Sequence, residues 1–162
     1  FFMIIPVGLI IFLGNYLVWL ELAFVFVFLY RISIKPFRDF SALFVALIAG
    51  FVIARIAGLF YSHLQPFVKT GLEPIIYHTP DNSFPSDHAV LAFVLATALF
   101  VENKRLGTAA YIFAIGVLFG RVLGGIHYPI DVTVGAIIGI IAMFFSLKIF
   151  NLIRGYSEMG EN

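Results

Sequence analysis

Pro85-Ser86-Asp87-His88-Ala89-Val90-Leu91-Ala92-Phe93-Val94-Leu95-Ala96-Thr97-Ala98-Leu99-Phe100-Val101 opens with a polar triplet, then runs without a charge until Glu102, Lys104 and Arg105. An apolar run of this length bounded by charges reads as a helix crossing a membrane. Proline suits a first helical turn, and Ser83 just upstream is a candidate cap. The stretch is thus a span with a serine, an aspartate and a histidine at its head. Ionisable groups at membrane depth are costly, so their presence there points to function.

The rest of the chain has the same character. Of its 162 residues, 62% are hydrophobic and 12% charged, and the mean hydropathy is +1.05. Soluble domains carry about 25% charged residues, so the chain reads as an integral membrane protein. A net charge of +1 gives no footprint for nucleic acid. Without cysteine there is no disulfide and no thiolate metal site. Charge breaks divide the chain into apolar segments at residues 14–30, 41–61, 85–101, 108–124 and 131–153, with a short apolar stretch at 1–13. That first stretch lacks a basic flank and does not read as a signal peptide. It reads as a span missing its start, as a short interfacial helix, or as part of one long helix bent at Gly14. Residues 62–84 form a polar loop containing Pro66, Pro74 and Pro80, and residues 155–162 a polar tail. The expected fold is all-α: a polytopic membrane helical bundle of five to six transmembrane helices in one domain, residues 1–162, with a periplasmic loop over the active site. Glu21, inside a span, is expected to pair with another helix or to lie near the outer interface.

Arg31, Lys35, Arg38, Lys104, Arg105, Lys148 and Arg154 all fall on one side of this alternating topology. The positive-inside rule makes that side cytoplasmic. The loop 62–84 and the turn at His127 then share the outer face, so the head of the opening stretch meets a second polar motif, Gly120-Arg121 with His127-Tyr128-Pro129-Ile130-Asp131. No internal repeat suggests an inverted-repeat transporter.

Each of these residues has a functional and a plain reading. His127 and Asp131, four apart at a helix start, are within reach of each other. The carboxylate fixes the imidazole tautomer and stabilises the cation formed when the other nitrogen acts as nucleophile; alternatively, Asp131 only favours the N-terminal turn. Arg121 presents a fork suited to phosphate oxygens, or it snorkels to the interface. Ser86 and Asp87 cap a helix, or that helix end binds an anion with Ser86 as a donor. His88 is then a general acid, or it faces headgroups. Together the residues supply nucleophile, orienting acid, general acid and phosphate clamp. Phosphoryl transfer asks mainly for such positioning and charge neutralisation. The carboxylates show no metal-ligand spacing, so no metal or cofactor is expected.

At these residues the chain resembles the type 2 phosphatidic acid phosphatase superfamily, which includes membrane lipid phosphatases and soluble vanadium haloperoxidases. The family's Pro-Ser-Gly-His motif matches Pro85-Ser86-Asp87-His88 with aspartate for glycine. Its Ser-Arg-x5-His-x3-Asp motif matches Gly120, Arg121, His127 and Asp131 with glycine for serine. The resemblance covers roughly residue 51 to the end of the last span. It implies His127 as nucleophile, Asp131 as its partner, His88 as acid, and Arg121 and Ser86 on phosphate. The Lys-x6-Arg-Pro motif departs further: Gly58 and Gln65 stand at its charged positions, and Arg55 and Lys69 are the nearest substitutes. A buried Arg55 in a span would otherwise be hard to explain. The Ser83-to-His88 and Gly125-to-Asp131 forms look most like the bacitracin-resistance type of undecaprenyl diphosphate phosphatase. The phosphate-binding candidates are therefore Arg121, Ser86, Asp87, Gln65, Lys69 and Arg55.

The implied activity is metal-independent removal of phosphate from a lipid (pyro)phosphate at the outer leaflet of a bacterial inner membrane, through a phosphohistidine. Sister subgroups act on phosphatidylglycerophosphate or the 1-phosphate of lipid A. Two other classes stay open: a lipid-phosphate binder or transporter, and a haem carrier ligated by His88 and His127. Tyr61, His63, Tyr77 and His78 are expected to flank the outer loop as interfacial residues.

Overall fold

The computed structural model describes residues 5–159. Among these residues the regular structure is helical: α1 (Val7–Ile32), α2 (Pro36–Phe60), a short α3 (Pro66–Thr70), α4 (Asp87–Glu102), α5 (Lys104–Leu123) and α6 (Pro129–Met159). A lone antiparallel bridge joins Leu64 to Asn82. α1, α2, α5 and α6 are long and apolar enough to cross a membrane. α4 has 16 residues, about 24 Å at 1.5 Å per residue, yet it packs along both α5 and α6. With α4 the bundle holds five helices, the lower end of the expected count.

The N-terminal alternatives resolve into one helix. α1 is continuous from Val7 to Ile32 but widens into a π turn over Phe12–Tyr16, around Gly14. Gly14 and Asn15 are weak helix formers, but no proline interrupts them, and the wider turn absorbs the irregularity. The part of the N-terminal expectation that concerns residues 1–4 lies outside the described residues.

The opening stretch forms the centre of the molecule. Ala89, Val90, Ala92 to Ala96, Ala98 and Leu99 on α4 are all buried, and α4 touches α1, α2, α5 and α6. A helix apolar on every side is stable only when surrounded, and this one is. Its helix begins at Asp87 with Ser86 as N-cap, so Pro85 precedes the helix and Ser83 is not its cap. The reason is that the Ser83 hydroxyl is bonded elsewhere, as described below.

Two features fix the bundle. At the end carrying Arg31, Lys35 and Lys104, Arg38 donates to Asp39 (2.6 Å), Glu102 (3.0 Å) and Asn151 (3.3 Å), joining α2, α4 and α6. Asp39 is buried and also accepts from the Ser33 hydroxyl at 2.5 Å, so its charge is compensated. Along the other seam, α6 approaches α4 through Gly135 and Gly139. A Cβ at either position would sit 2.6 Å from a main-chain oxygen of α4 or its cap, Ser86 or Val90 respectively. Small residues allow such backbone approach between membrane helices. One expectation is not met. Glu21 is fully buried, and neither of its carboxylate oxygens has a partner among the described residues.

Since Val90 O and Val94 N are rigid main chain, Gly139→Ala is expected to destabilise the protein by about 1–3 kcal/mol, the range for overpacking. Gly8→Ala, with nothing within 4 Å of its added Cβ, is expected to be neutral. Thermal unfolding of both variants in the same detergent checks this.

Candidate active site

The chain contains four histidines, and all of them gather at the end of the bundle opposite the Arg38 clamp. His127 precedes α6, His88 sits in the first turn of α4, and His63 and His78 lie in the segment between α2 and α4. That segment is tied down locally. Ser83 N donates to His63 O (2.9 Å), His63 N to Asn82 Oδ1 (3.2 Å), and Asp81 N to Gln65 Oε1 (2.8 Å). Ile76 is buried with Ile10 and Ile126, which pins the middle of the loop to α1 and the α5–α6 turn. Gly125, at φ +78°, makes that turn in a conformation glycine adopts freely.

Asp131 is the hub. It is fully buried at the third position of α6. Its Oδ2 accepts from Tyr128 N (2.8 Å) and the Ser83 hydroxyl (2.5 Å), and its Oδ1 from His63 Nε2 (2.9 Å). The Tyr128 contact is the carboxylate half of a capping box. Asp131 therefore organises the helix start, as one of its two readings had it, and it stands beside His127. The main-chain oxygen of Asp131 also accepts from Ser86 N at 3.1 Å, which locks the head of α4 to the head of α6.

His127 is oriented differently from the expectation of a direct carboxylate bond. Its Nδ1 lies 2.9 Å from the main-chain oxygen of Ser83, and 3.6 Å from Asp131 Oδ2. A carbonyl oxygen only accepts, so Nδ1 carries the proton in the neutral ring and Nε2 holds a lone pair. Nε2 lies 3.4 Å from Arg121 Nη2. The Ser83 hydroxyl, which donates to Asp131 Oδ2, also lies 3.4 Å from His127 Nδ1, so it stands between carboxylate and ring.

Arg121 is 4% exposed. Its Nε has no partner among the described residues, and neither has the buried Ser86 hydroxyl. An anion would satisfy these two donors, because buried donors are normally paired, although the buried acceptor Asp87 Oδ1 at the head of α4 is also without a partner among the described residues. His88 is half-buried in the first turn of α4. His78 stacks edge-on to His127 with ring centroids 6.4 Å apart. Burial, then Arg121 and His127, push its pKa below the usual imidazole range, against an opposing pull from Asp81. Among the described residues no three histidine, aspartate or glutamate side chains converge as a metal site would need.

The other candidates are placed less directly. Arg55 is not buried: its side chain is 67% exposed and pairs with Asp87 across α2 and α4. The physical reason is position, since Arg55 lies in the penultimate turn of α2, where a long side chain reaches the helix end. Asp87 thereby holds Arg55 and stays on the rim. Gln65 is buried and its carbonyl is used by Asp81 N. Lys69 is exposed beside a groove formed with Tyr61, His63, Leu64, Tyr128 and Pro129. Sequence reasoning missed Ser83 as a hub residue, because a carbonyl has no residue-type signature. It also left His63 as an interfacial aromatic, although the confinement of every histidine to one face was a readable signal.

Comparison with known proteins agrees with this architecture. The profile of the PAP2 superfamily matches residues 39–154. Undecaprenyl-diphosphatase BcrC of Bacillus subtilis is 34% identical over 112 residues, covering 69% of this chain and 58% of that protein. Bacitracin transport permease protein BcrC of Bacillus licheniformis is 34% identical over 102 residues, covering 62% and 50%. The chain thus spans only half to three-fifths of the length of these relatives. The solved structure of LpxE from Aquifex aeolicus superposes with a TM-score of 0.65 at 24% identity, over 87% of this chain and 93% of that one. A PAP2-type phosphatidylglycerolphosphate phosphatase from Bacillus subtilis gives 0.56 at 22% identity, over 89% and 73%. Motifs, bundle and profile converge, and the chain belongs to the PAP2 superfamily.

Proposed function

We propose that this chain is a membrane lipid phosphatase or diphosphatase that acts through a phosphohistidine at the outer leaflet. The observation that carries this reading is the tautomer of His127. With Nδ1 committed to Ser83 O at 2.9 Å, the lone pair on Nε2 faces Arg121 Nη2, 3.4 Å away. In the first step Nε2 attacks phosphorus, the bond from phosphorus to the departing oxygen breaks, and His88 supplies that oxygen with a proton. In the second, water attacks the phosphohistidine, His88 takes a water proton, and the phosphorus–nitrogen bond breaks to release phosphate. Arg121, the Ser86 hydroxyl and the amides opening α4 take the phosphoryl charge. Asp131 stabilises the His127 cation through Ser83. Arg55, paired with Asp87, and Lys69 are exposed and would meet the remainder of the headgroup, while buried Gln65 holds the loop through Asp81 N.

The names of the relatives favour undecaprenyl diphosphate as substrate. A lipid A 1-phosphatase of Rhizobium johnstonii, 31% identical over 113 residues and covered by 68% of this chain and 46% of that protein, supports the broader class of lipid phosphates. The cluster of cations at the Arg38 end favours a cytoplasmic-membrane location with the histidines facing outward.

Phosphate release from undecaprenyl diphosphate, phosphatidylglycerophosphate and lipid A, compared side by side with a chelator present, tests the reading. Undecaprenyl diphosphate is expected to turn over fastest, and His127→Ala to abolish release. Wild-type turnover by that variant would rule the mechanism out. His63→Ala removes a hydrogen bond to a buried carboxylate, so thermal stability is expected to fall by about 1.5–3 kcal/mol, and kcat to fall with KM little changed. Orientation has its own test, because the chain has no cysteine. In intact cells Tyr77→Cys is expected to react with a membrane-impermeant maleimide, and Arg105→Cys only after lysis.

A further inference from the structure

α1 lies outside the stretch matched by the superfamily profile, and neither polar motif includes it. It nevertheless reaches the candidate site. Arg121 Nη1 donates to the main-chain oxygen of Gly14 at 3.4 Å. Gly14 sits in the π turn, where Leu17 N bonds five residues back to Phe12 O. A π turn interrupts the regular ladder of the helix, and such turns recur at functional sites.

The approach requires two bare backbones. A Cβ on residue 120 would stand 2.2 Å from Gly14 N and 2.6 Å from Gly14 Cα, and a Cβ on residue 14 would stand 3.0 Å from Gly120 C and O. The nearest neighbours of a Cβ on residue 120 are all main chain and cannot yield cheaply, whereas a Cβ on residue 14 would first meet the Ile76 Cδ1 side-chain end, at 2.3 Å. Position 120 is where the resembled motif carries serine, and a serine Cβ would not fit here. The glycine at 120 and the π turn at 14 therefore account for each other.

We propose that the Gly14 carbonyl is a positioning group for Arg121, held in place by the Gly14–Gly120 contact. One guanidinium N–H is fixed on α1, which sets the plane of the fork. Nη2 is left beside His127 Nε2, and the unpartnered Nε is left for a phosphoryl oxygen. Ordering the fork before substrate arrives removes a cost that binding would otherwise carry. The inference rests on Arg121 being a phosphate ligand, as proposed above.

The competing view is that Gly116, Gly120 and Gly124 form a packing seam and nothing more. Gly116 separates the two, because its Cβ would meet only the Leu17 and Leu13 side-chain ends, at 2.8 and 3.5 Å. The full chain is assayed in detergent for phosphate release from undecaprenyl diphosphate and for inhibition by orthovanadate. Gly120→Ala is expected to lower kcat/KM about tenfold or more and to weaken orthovanadate inhibition in proportion. Gly116→Ala is expected to stay within about twofold of wild type, a change of under 0.5 kcal/mol. In an Arg121→Lys background, where a point charge replaces the fork, Gly120→Ala is expected to cost nothing further. Equal losses in both backgrounds, equal losses from Gly116→Ala and Gly120→Ala, or full activity in Gly120→Ala would each overturn the proposal. If Gly120→Ala does not fold, Gly14→Ala combined with Ile76→Val, which removes the Cδ1 that the new Cβ would meet, is held to the same outcomes against Ile76→Val alone. Wild-type activity in Arg121→Lys together with Arg121→Ala would instead remove the phosphate-ligand reading itself.

Discussion

A carboxylate buried in an apolar bundle must be compensated, and Asp131 is the point at which this protein meets that demand. Isolated in a low-dielectric interior, its charge would cost several kcal/mol. Here it receives a main-chain N–H from Tyr128, a hydroxyl from Ser83 and a ring nitrogen from His63. Those donors come from the start of α6, from the residues before α4 and from the segment after α2. Satisfying one carboxylate therefore ties three distant parts of the chain together. The same ties place Ser83 O against His127 and Ser86 N against Asp131 O. The geometry of the site follows from the compensation of that charge.

Around this hub the bundle is built from close contacts. Gly135 and Gly139 bring α6 onto α4, and Gly120 brings α5 onto the π turn of α1. At the far end, Arg38 joins α2, α4 and α6 through Asp39, Glu102 and Asn151. The two ends are chemically distinct: Arg31, Lys35, Arg38 and Lys104 lie at one, every histidine at the other. α4 runs between them with apolar residues on all sides, so its polar head is held by its neighbours, not by solvent.

Two donors of the candidate site are buried without partners among the described residues, which is what the proposed phosphoryl ligand would satisfy. Ser86 Oγ and Arg121 Nε are buried donors with nothing to bond among the described residues, although buried donors are normally satisfied. Arg121 also stands beside His127, its Nη2 3.4 Å from Nε2. Glu21 is a different case. It is just as buried and unpartnered, but no basic or donor residue of the site is placed with it, and the site geometry does not explain it.

Much of this was legible in the chain alone. Hydropathy and charge breaks determined an all-α membrane bundle, because a backbone in hydrocarbon must satisfy its own hydrogen bonds. The spacing of Arg121, His127 and Asp131, and the Pro85–His88 head, determined which side chains meet, because alternating spans bring both motifs to one face. What the sequence left undecided were contacts made by main-chain atoms and by the loop. Arg55 read as buried because it lies within an apolar run, but only its place near the end of α2 shows that it reaches out to Asp87. Ser83 read as a cap, but tertiary structure turned its hydroxyl to Asp131 and its carbonyl to His127. Gly14 carried no chemical signal, yet its oxygen holds Arg121. Residue types reveal side-chain chemistry, whereas a carbonyl is the same in every residue, and only the packing of one helix on another decides which carbonyl a buried donor finds.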